Sequence, residues 1–252
     1  MYEKKIAKYY DSLYQNKNYG SEVNLVLKAF HRYSKRKLRK VLDVGCGTGT
    51  HSLALAEKGY EVTGVDRSES MIKEASQKRH AKNRIKFYCC DLKHLKENKF
   101  DLAISMFNVV NHIHSLRELI GFFSEIHKRL NSGGMFIFDC WNGVAAIRDI
   151  PRNKHGCILC NDGKKIQVNS KVTNDLFNQK TVVENIIKIT RGNKIIDELR
   201  TEYIHVLWTP KVLSDVLDMC RFKIESVSRL DDINSRADCK DWKIMYFAKK
   251  LD

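Results

Sequence analysis

The stretch V41-L-D-V-G-C-G-T-G-T50 decides the fold. An apolar run (Val41, Leu42, Val44) ends in Gly45, Gly47 and Gly49, and the helical stretch His51 to Lys58 follows, so it reads as a strand, a glycine turn and a helix. Glycine lacks a Cβ and tolerates unusual φ. The N–H groups that open a helix have no partner within it, so such a turn brings backbone and free donors close to a ligand. The spacing is G-x-G-x-G, not the G-x-G-x-x-G of a dinucleotide site, and a P-loop lysine is missing, which argues against NAD and nucleoside triphosphates. Further on, EVTGVD places Asp66 at the end of a second strand, where a carboxylate can accept hydrogen bonds from two ribose hydroxyls. An adenosine-type ligand is implied.

Downstream, Gly59 stops the first helix, and a strand (Glu61 to Asp66), a helix (Ser70 to His80), a strand (Ile85 to Asp91) and a fourth strand (Phe100 to Met106) follow. Strands alternating with helices predict a parallel sheet with helices on both faces. Ser115 and Glu118 fit a capping box for the next helix. Leu116, Leu119, Ile120, Phe123, Ile126 and Leu130 supply its stripe, Gly133-Gly134 ends it, and MFIFD is strand five. From Cys140 the texture changes. Gly156 to Asn161, Lys165 to Thr173, Thr181 to Thr190 and Lys194 to Leu207 read as an antiparallel meander, with hairpin turns at Asp162-Gly163 and Gly192-Asn193. Val183, Ile187 and Ile189 alternate with Glu184 and Lys188, so one face of the meander needs a cover. A second copy of the chain is the expected one, with the mouth of the active site as the alternative. Thr209-Pro210 opens a helix through Cys220, and Phe222 to Arg229 and Trp242 to Lys249 are the last strands, the final one antiparallel.

Upstream lie two helical segments, Tyr2 to Tyr14 and Ser21 to Ser34, the second with Val23, Val26, Leu27 and Phe30 on one face. They are placed to lid the ligand. Of the clustered tyrosines, Tyr9 and Tyr10 read as helix anchors. The whole chain is therefore one domain: a helical lid (1–34), a cofactor-binding core (38–139), an inserted sheet (140–208) and a C-terminal helix with two strands (209–252).

With 43% apolar residues in 252, composition is that of a globular chain, and no long apolar span or signal peptide is present, so a cytoplasmic protein without membrane contact is expected. Eight cysteines form no regular framework. Cys157 and Cys160 make the only CxxC and read as hairpin cysteines, because a structural zinc takes four ligands; no metal is expected. Lys and Arg number 45 against 30 Asp and Glu, and HRYSKRKLRK (His31 to Lys40) concentrates the excess. Most of that charge reads as solvated surface; an anionic small acceptor is the favoured partner and nucleic acid the second.

The motif Asp43 to Gly49 resembles motif I (DxGCGTG) of class I S-adenosylmethionine-dependent methyltransferases, and the likeness continues through Asp66 as the ribose acid, Asp91 in FYCCDL as the adenine-proximal acid and LNSGG (Leu130 to Gly134) before strand five. It implies a Rossmann-like sheet, S-adenosylmethionine as cofactor and S-adenosylhomocysteine as product. A narrower set of features resembles enzymes that N-methylate nucleotide-linked deoxyamino sugars: YDSLYQNKNY (Tyr10 to Tyr19), SMFNVVNHI (Ser105 to Ile113), DCWNG (Asp139 to Gly143) and the inserted sheet, which in that group makes a dimer. This resemblance implies catalytic or orienting roles for His112 and Tyr14. It implies cofactor contacts from Tyr14, Tyr19, Asp43, Gly45, Cys46, Gly47, Gly49, Asp66, Arg67, Met71, Asp91, Leu92, Met106, Phe107 and Asn108.

Methyl transfer from a sulfonium is an in-line displacement of an activated group, so the protein mainly supplies geometry and an unprotonated nucleophile. His112 and His114 follow strand four, where open α/β sheets bind ligands, and either imidazole can take a proton there. Base-methylating amino-methyltransferases carry an Asn/Asp/Ser-Pro-Pro-aromatic element at this place, and this chain has no proline there. The expected function is methyl transfer to an amine of a small molecule, such as an amino sugar on a nucleotide. The alternatives are an RNA methyltransferase, a small-molecule O-methyltransferase, or a cofactor-binding module without catalysis.

Overall fold

The computed structural model describes residues 4–78 and 84–252. Helices α1 (Lys4–Leu13) and α2 (Tyr19–Tyr33) precede β1 (Lys40–Val44), α3 (Thr50–Glu57), β2 (Glu61–Asp66), α4 (Glu69–Gln77), β3 (Ile85–Cys89), β4 (Phe100–Ser105), α5 (Leu116–Arg129) and β5 (Leu130–Trp141). Then come α6 (Gly143–Arg148), β6 (Lys154–Leu159), β7 (Lys164–Asp175), β8 (Lys180–Arg191), β9 (Lys194–Val206), α7 (Pro210–Met219), β10 (Phe222–Arg229) and β11 (Lys243–Lys250). A seven-stranded sheet runs β10-β11-β5-β4-β1-β2-β3. Neighbours from β5 to β3 are parallel, and β11 is antiparallel to both β5 and β10, as expected for a Rossmann-like methyltransferase sheet.

Sequence pattern accounts for the layers. Every residue of β4 is buried, as an apolar strand between two parallel neighbours must be. Val23, Val26, Ala29 and Phe30 of α2 pack on one face of the sheet against Val41, Leu102, Ile104 and Ile137. Leu119, Phe123 and Ile126 of α5 pack on the other against Phe136 and Phe138. The capping box forms with a shift: Ser115 Oγ accepts from Glu118 N at 3.2 Å, but the Glu118 carboxylate accepts from His114 N, one residue earlier than the usual partner.

Several boundaries differ from expectation. Gly133-Gly134 does not end α5, which stops at Arg129; Leu130 already belongs to β5, and both glycines lie inside that strand. Leu116, read as part of the stripe, is half exposed. β3 stops at Cys89 and leaves Asp91 to cap a 3-10 turn (Leu92–His94). The helix expected to reach His80 ends at Gln77, and His80 lies outside the described residues, as does Tyr2.

The insert is an antiparallel sheet in the order β6-β7-β8-β9, with turns at Gly163 and Gly192 in the left-handed region as the hairpin dipeptides require. Its apolar face, formed by Ile166, Ile187, Ile189 and Leu199, lies against Ile6, Ala7 and Tyr9 of α1 and Met71 of α4. The chain itself thus supplies the cover on that face. α6 was not anticipated. Gly143, its first residue, donates its N–H to the Trp208 carbonyl at 3.0 Å, and a Cβ there would stand 2.7 Å from that oxygen and closer still to the Leu207 carbonyl. Among the described residues no helix is long and apolar enough to cross a membrane.

Candidate functional site

The site lies at the carboxyl ends of β1, β2, β4 and β5. At the turn, Gly45 N and Cys46 N donate to the Val65 carbonyl at 2.8 and 3.1 Å, Gly47 N to Asp66 Oδ2 at 2.9 Å and Gly49 N to the Cys46 carbonyl at 2.9 Å. These four turn N–H groups are spent within the chain, whereas the N–H groups expected to face a ligand open α3 from Thr50, where the Gly49 cap supplies no side-chain bond. Gly49, at φ 77°, admits no side chain, because a Cβ would stand 2.5 Å from the Phe87 ring. Asp66 Oδ1 accepts from Ser68 N at 2.8 Å, so each carboxylate oxygen carries one backbone donor and keeps a lone pair for another. Burial pushes the Asp66 carboxyl up. Asp43 is fully buried at the end of β1 and accepts from Ser52 Oγ at 2.6 Å.

At the end of β4, Phe107 and Asn108 take successive left-handed conformations, φ 74° and 60°, which cost free energy for residues with side chains. The Asn108 N–H donates to Asp139 Oδ1 at 3.0 Å, while the buried Asn108 Oδ1 has no partner. A strained turn that carries an orphaned acceptor fits a site where a ligand supplies the donor. The turn also turns the Phe107 ring outward, where it meets Tyr14 at 4.8 Å, near-perpendicular, and Tyr10 at 6.4 Å.

The N-terminal arm closes over this edge. Asp11 Oδ1 accepts from Thr48 Oγ1 at 2.6 Å, and Asp11 Oδ2 pairs with Lys78 at 2.7 Å, so α1 is tied to the glycine turn. Glu22 pairs with His51 at 2.7 Å and with Lys17, whose ammonium lies over the rings of Phe107 (4.8 Å) and Tyr19 (5.1 Å). Burial raises the Tyr14 hydroxyl to about 12 and raises that of Tyr19 as well, so both remain protonated donors at neutral pH.

His112 ends a 3-10 turn (Val109–His112) that follows Asn108. Its ring is half-buried, 4.6 Å from His205 and 6.2 Å from Tyr203 of β9, and the Ile204 carbonyl favours its protonated form. Burial outweighs this and lowers the pKa, so the ring is neutral and one of its nitrogens carries a lone pair. Asn111 fixes the turn: its Nδ2 donates to the Val206 carbonyl at 2.8 Å, and its Oδ1 accepts from Trp141 N at 2.8 Å. His205 stacks on the Trp141 ring at 4.3 Å and 17°.

Burial and the neighbouring histidines lower His205 to about 3. An unfolded chain takes up this proton near 6.5 and the folded chain does not, so the associated stability is intact above 6.5 and lost as pH falls toward 3. At about 1.4 kcal/mol per pH unit, two units of acidification should cost roughly 2–3 kcal/mol. Urea midpoints across this range should fall in the wild type and fall less in His205→Phe.

Of the residues expected at the cofactor, the structure brings Tyr14, Tyr19, Asp43, the glycines, Asp66, Phe107 and Asn108 to one edge. Arg67 and Asp91 form an ion pair at 2.6 Å just beyond β2, and the Lys93 N–H, with Arg67 behind it, outweighs burial and holds the Asp91 carboxyl below its ordinary range. Cys46 is buried and its thiol pushed well up. Met71, Leu92 and Met106 are core residues: Met71 is under α1 and the insert, and the other two are on opposite faces of the sheet. His114 is exposed. Asp11, Lys17, Glu22, Asn111 and His205 were not anticipated; only the fold brings these separate segments together. Cys157 and Cys160 are free thiols, and the described residues contain no group of three or more His, Cys, Asp or Glu able to hold a metal.

Residues 41–134 match a family model described as a methyltransferase domain. A putative methyltransferase of Geobacillus sp. (strain WCH70) is 33% identical over 135 residues, 53% of this chain and 55% of that protein. The chain spans about half the length of the curated relatives it matches, which include O- and N-methyltransferases. Among solved structures, Streptomyces venezuelae DesVI superposes with a TM-score of 0.81 at 18% identity, covering 100% of both chains. CalS10, an amino pentose methyltransferase from Micromonospora echinaspora solved with bound S-adenosylmethionine, gives 0.75 at 15% identity, covering 100% of this chain and 98% of that one. At these identities the likeness is one of fold.

Proposed function

We propose that this chain, whose core is that of an S-adenosylmethionine-dependent methyltransferase, moves the methyl group to the nitrogen of a small amine, with an amino sugar carried on a nucleotide as the favoured acceptor. When bound, the cofactor supplies a methyl group already activated on a sulfonium. Asp66 would hold the ribose hydroxyls, Asp91 the adenine edge, and the Asn108–Phe107 turn and Tyr19 the amino-acid end. The observation that carries the reading is His112: neutral at the end of the turn that begins at Asn108, it keeps a lone pair and lies beside Tyr203, the residue that Tyr14 senses from the arm. An amine attacks only when neutral, and a lone-pair acceptor there takes or orients its proton. Tyr14, packed edge-on against Phe107, closes the transfer site from the arm and can face a cation with its ring. The aminopentose substrate named for a whole-chain structural neighbour supports the sugar reading. Self-association through the insert would use its outer face, where Ile186 is exposed, or the edge strand β6, where Leu159 is exposed.

The test is turnover with methyl-labelled cofactor on amino-sugar nucleotides, on simple hydroxyl acceptors and on total RNA. Transfer only to RNA, or only to oxygen, would overturn the amine reading. With an acceptor in hand, His112→Asn should lower kcat about tenfold if the residue positions and about 10²–10⁴-fold if it is the sole base. Tyr14→Phe should cost on the order of 1 kcal/mol, and Tyr14→Ala should also weaken cofactor binding. Full kcat and KM in both His112→Asn and Tyr14→Ala would place the site elsewhere.

A further inference from the structure

We propose that His205, seated on Trp141, is a positioning residue for His112: its ring is the wall that keeps water off His112 and holds that imidazole as a lone-pair acceptor toward the transfer site. The inference rests on the functional reading above and adds a residue to it.

The geometry is a closed frame. Asn111, immediately before His112, ties its turn to β5 through Trp141 N and to β9 through the Val206 carbonyl. The neighbours of those two anchor points, the Trp141 ring and His205, stack on each other, and the His205 face lies 4.6 Å from His112. Asn111 is fully buried with both ends of its amide engaged, so the turn has one seat. Between Tyr203 and His205 lies Ile204, whose carbonyl favours a proton on the His112 ring. One short segment of β9 therefore contributes both rings that shield His112.

A polar residue is an odd choice for such a wall unless the ring itself is wanted. His205 Nδ1 is buried without a partner, and an orphaned nitrogen of this kind costs free energy that a stacked imidazole facing another imidazole must offset. The groups facing His112 are few. His114 acts from its own segment, Tyr203 and His205 face it from β9, and behind them Trp141 of β5 carries no charge. Tyr14, from the arm, senses Tyr203 and stays protonated. No carboxylate among the described residues acts on His112, so loss of water, rather than a counter-charge, sets its state.

The test is nitrogen-detected NMR of the histidine rings in the full chain labelled at histidine, titrated from acid to neutral pH. In the wild type His112 should titrate below the ordinary 6.5 and show one protonated and one unprotonated ring nitrogen. His205→Ala admits water, and the midpoint should rise toward 6.5. His205→Phe keeps the ring and should keep the midpoint low. His205→Gln removes the ring while retaining a polar side chain, and carries the same expectation as alanine if that variant does not fold. A midpoint in His205→Ala or His205→Gln equal to that of the wild type would overturn the proposal, as would His205→Phe behaving like His205→Ala. Calorimetry with S-adenosylmethionine on the wild type keeps the two ideas apart. Absence of binding would sink the methyltransferase reading, whereas an unmoved His112 midpoint with binding intact would sink only the role of His205.

Discussion

Replacing Asp66 with alanine is expected to weaken S-adenosylmethionine binding by at least about a hundredfold. Each charge-assisted hydrogen bond to a ribose hydroxyl contributes about 1.5–3 kcal/mol, two make about 3 or more, and each 1.4 kcal/mol is a factor of ten. A second loss adds to the first. Gly47 N and Ser68 N, which Asp66 holds at 2.9 and 2.8 Å, lose their acceptor, so the glycine turn and the start of α4 are no longer pinned together. Asp66→Asn keeps one carbonyl oxygen and should fall between alanine and wild type. Because burial raises the Asp66 carboxyl, affinity should also decline as pH falls through that raised value, when the protonated acid can no longer accept from every donor. Calorimetry on a folded Asp66→Ala variant checks this, and unchanged affinity would remove Asp66 from the site.

Gly143→Ala should cost stability on a similar scale, about 3 kcal/mol or more, although the change is one methyl group. The added carbon would meet the Leu207 and Trp208 carbonyl oxygens, both backbone, which cannot rotate away as a side chain does. Relief requires separating α6 from the segment that leads into α7. That separation breaks the Gly143 N to Trp208 carbonyl bond and leaves both groups buried and unpaired. Gly121→Ala is the control: it lies inside α5 with nothing within 4 Å of an added Cβ, so it should stabilise by about 0.5–1 kcal/mol through helix propensity. Urea unfolding of both variants measures the contrast, and similar midpoints would refute it.

The sheet was legible because each strand carries its own signal. FDLAIS is apolar throughout because it is covered on both faces, and the insert strands alternate because only one of their faces is covered. The turns and caps at Gly163, Gly192, Ser115 and Thr209 were legible for the same reason, each needing only its neighbours. Errors arose where the answer depends on a distant partner. Gly133-Gly134 looks like a helix stop, but strand pairing with β4 captures Leu130 first. The burial of Met71, Leu92 and Met106 likewise comes from packing partners that their neighbours in sequence do not reveal. Asn111 is one polar residue among NVVNHIH, and its importance comes from two strands far along the chain.

α1 is at once the cover of the insert's apolar face, through Ile6, Ala7 and Tyr9, and the latch of the glycine turn, through Asp11. Lifting α1 would expose Ile187, Ile189 and Leu199 to water at the same moment that it broke the contacts to Thr48 and Lys78. Such an opening would carry a hydrophobic cost unrelated to any ligand, and a ligand held under α1 would inherit that barrier on release. Two regions that share no chemistry run on one clock: a polar substitution at Ile187 should shorten the residence time of whatever sits beneath Asp11, some distance from the change.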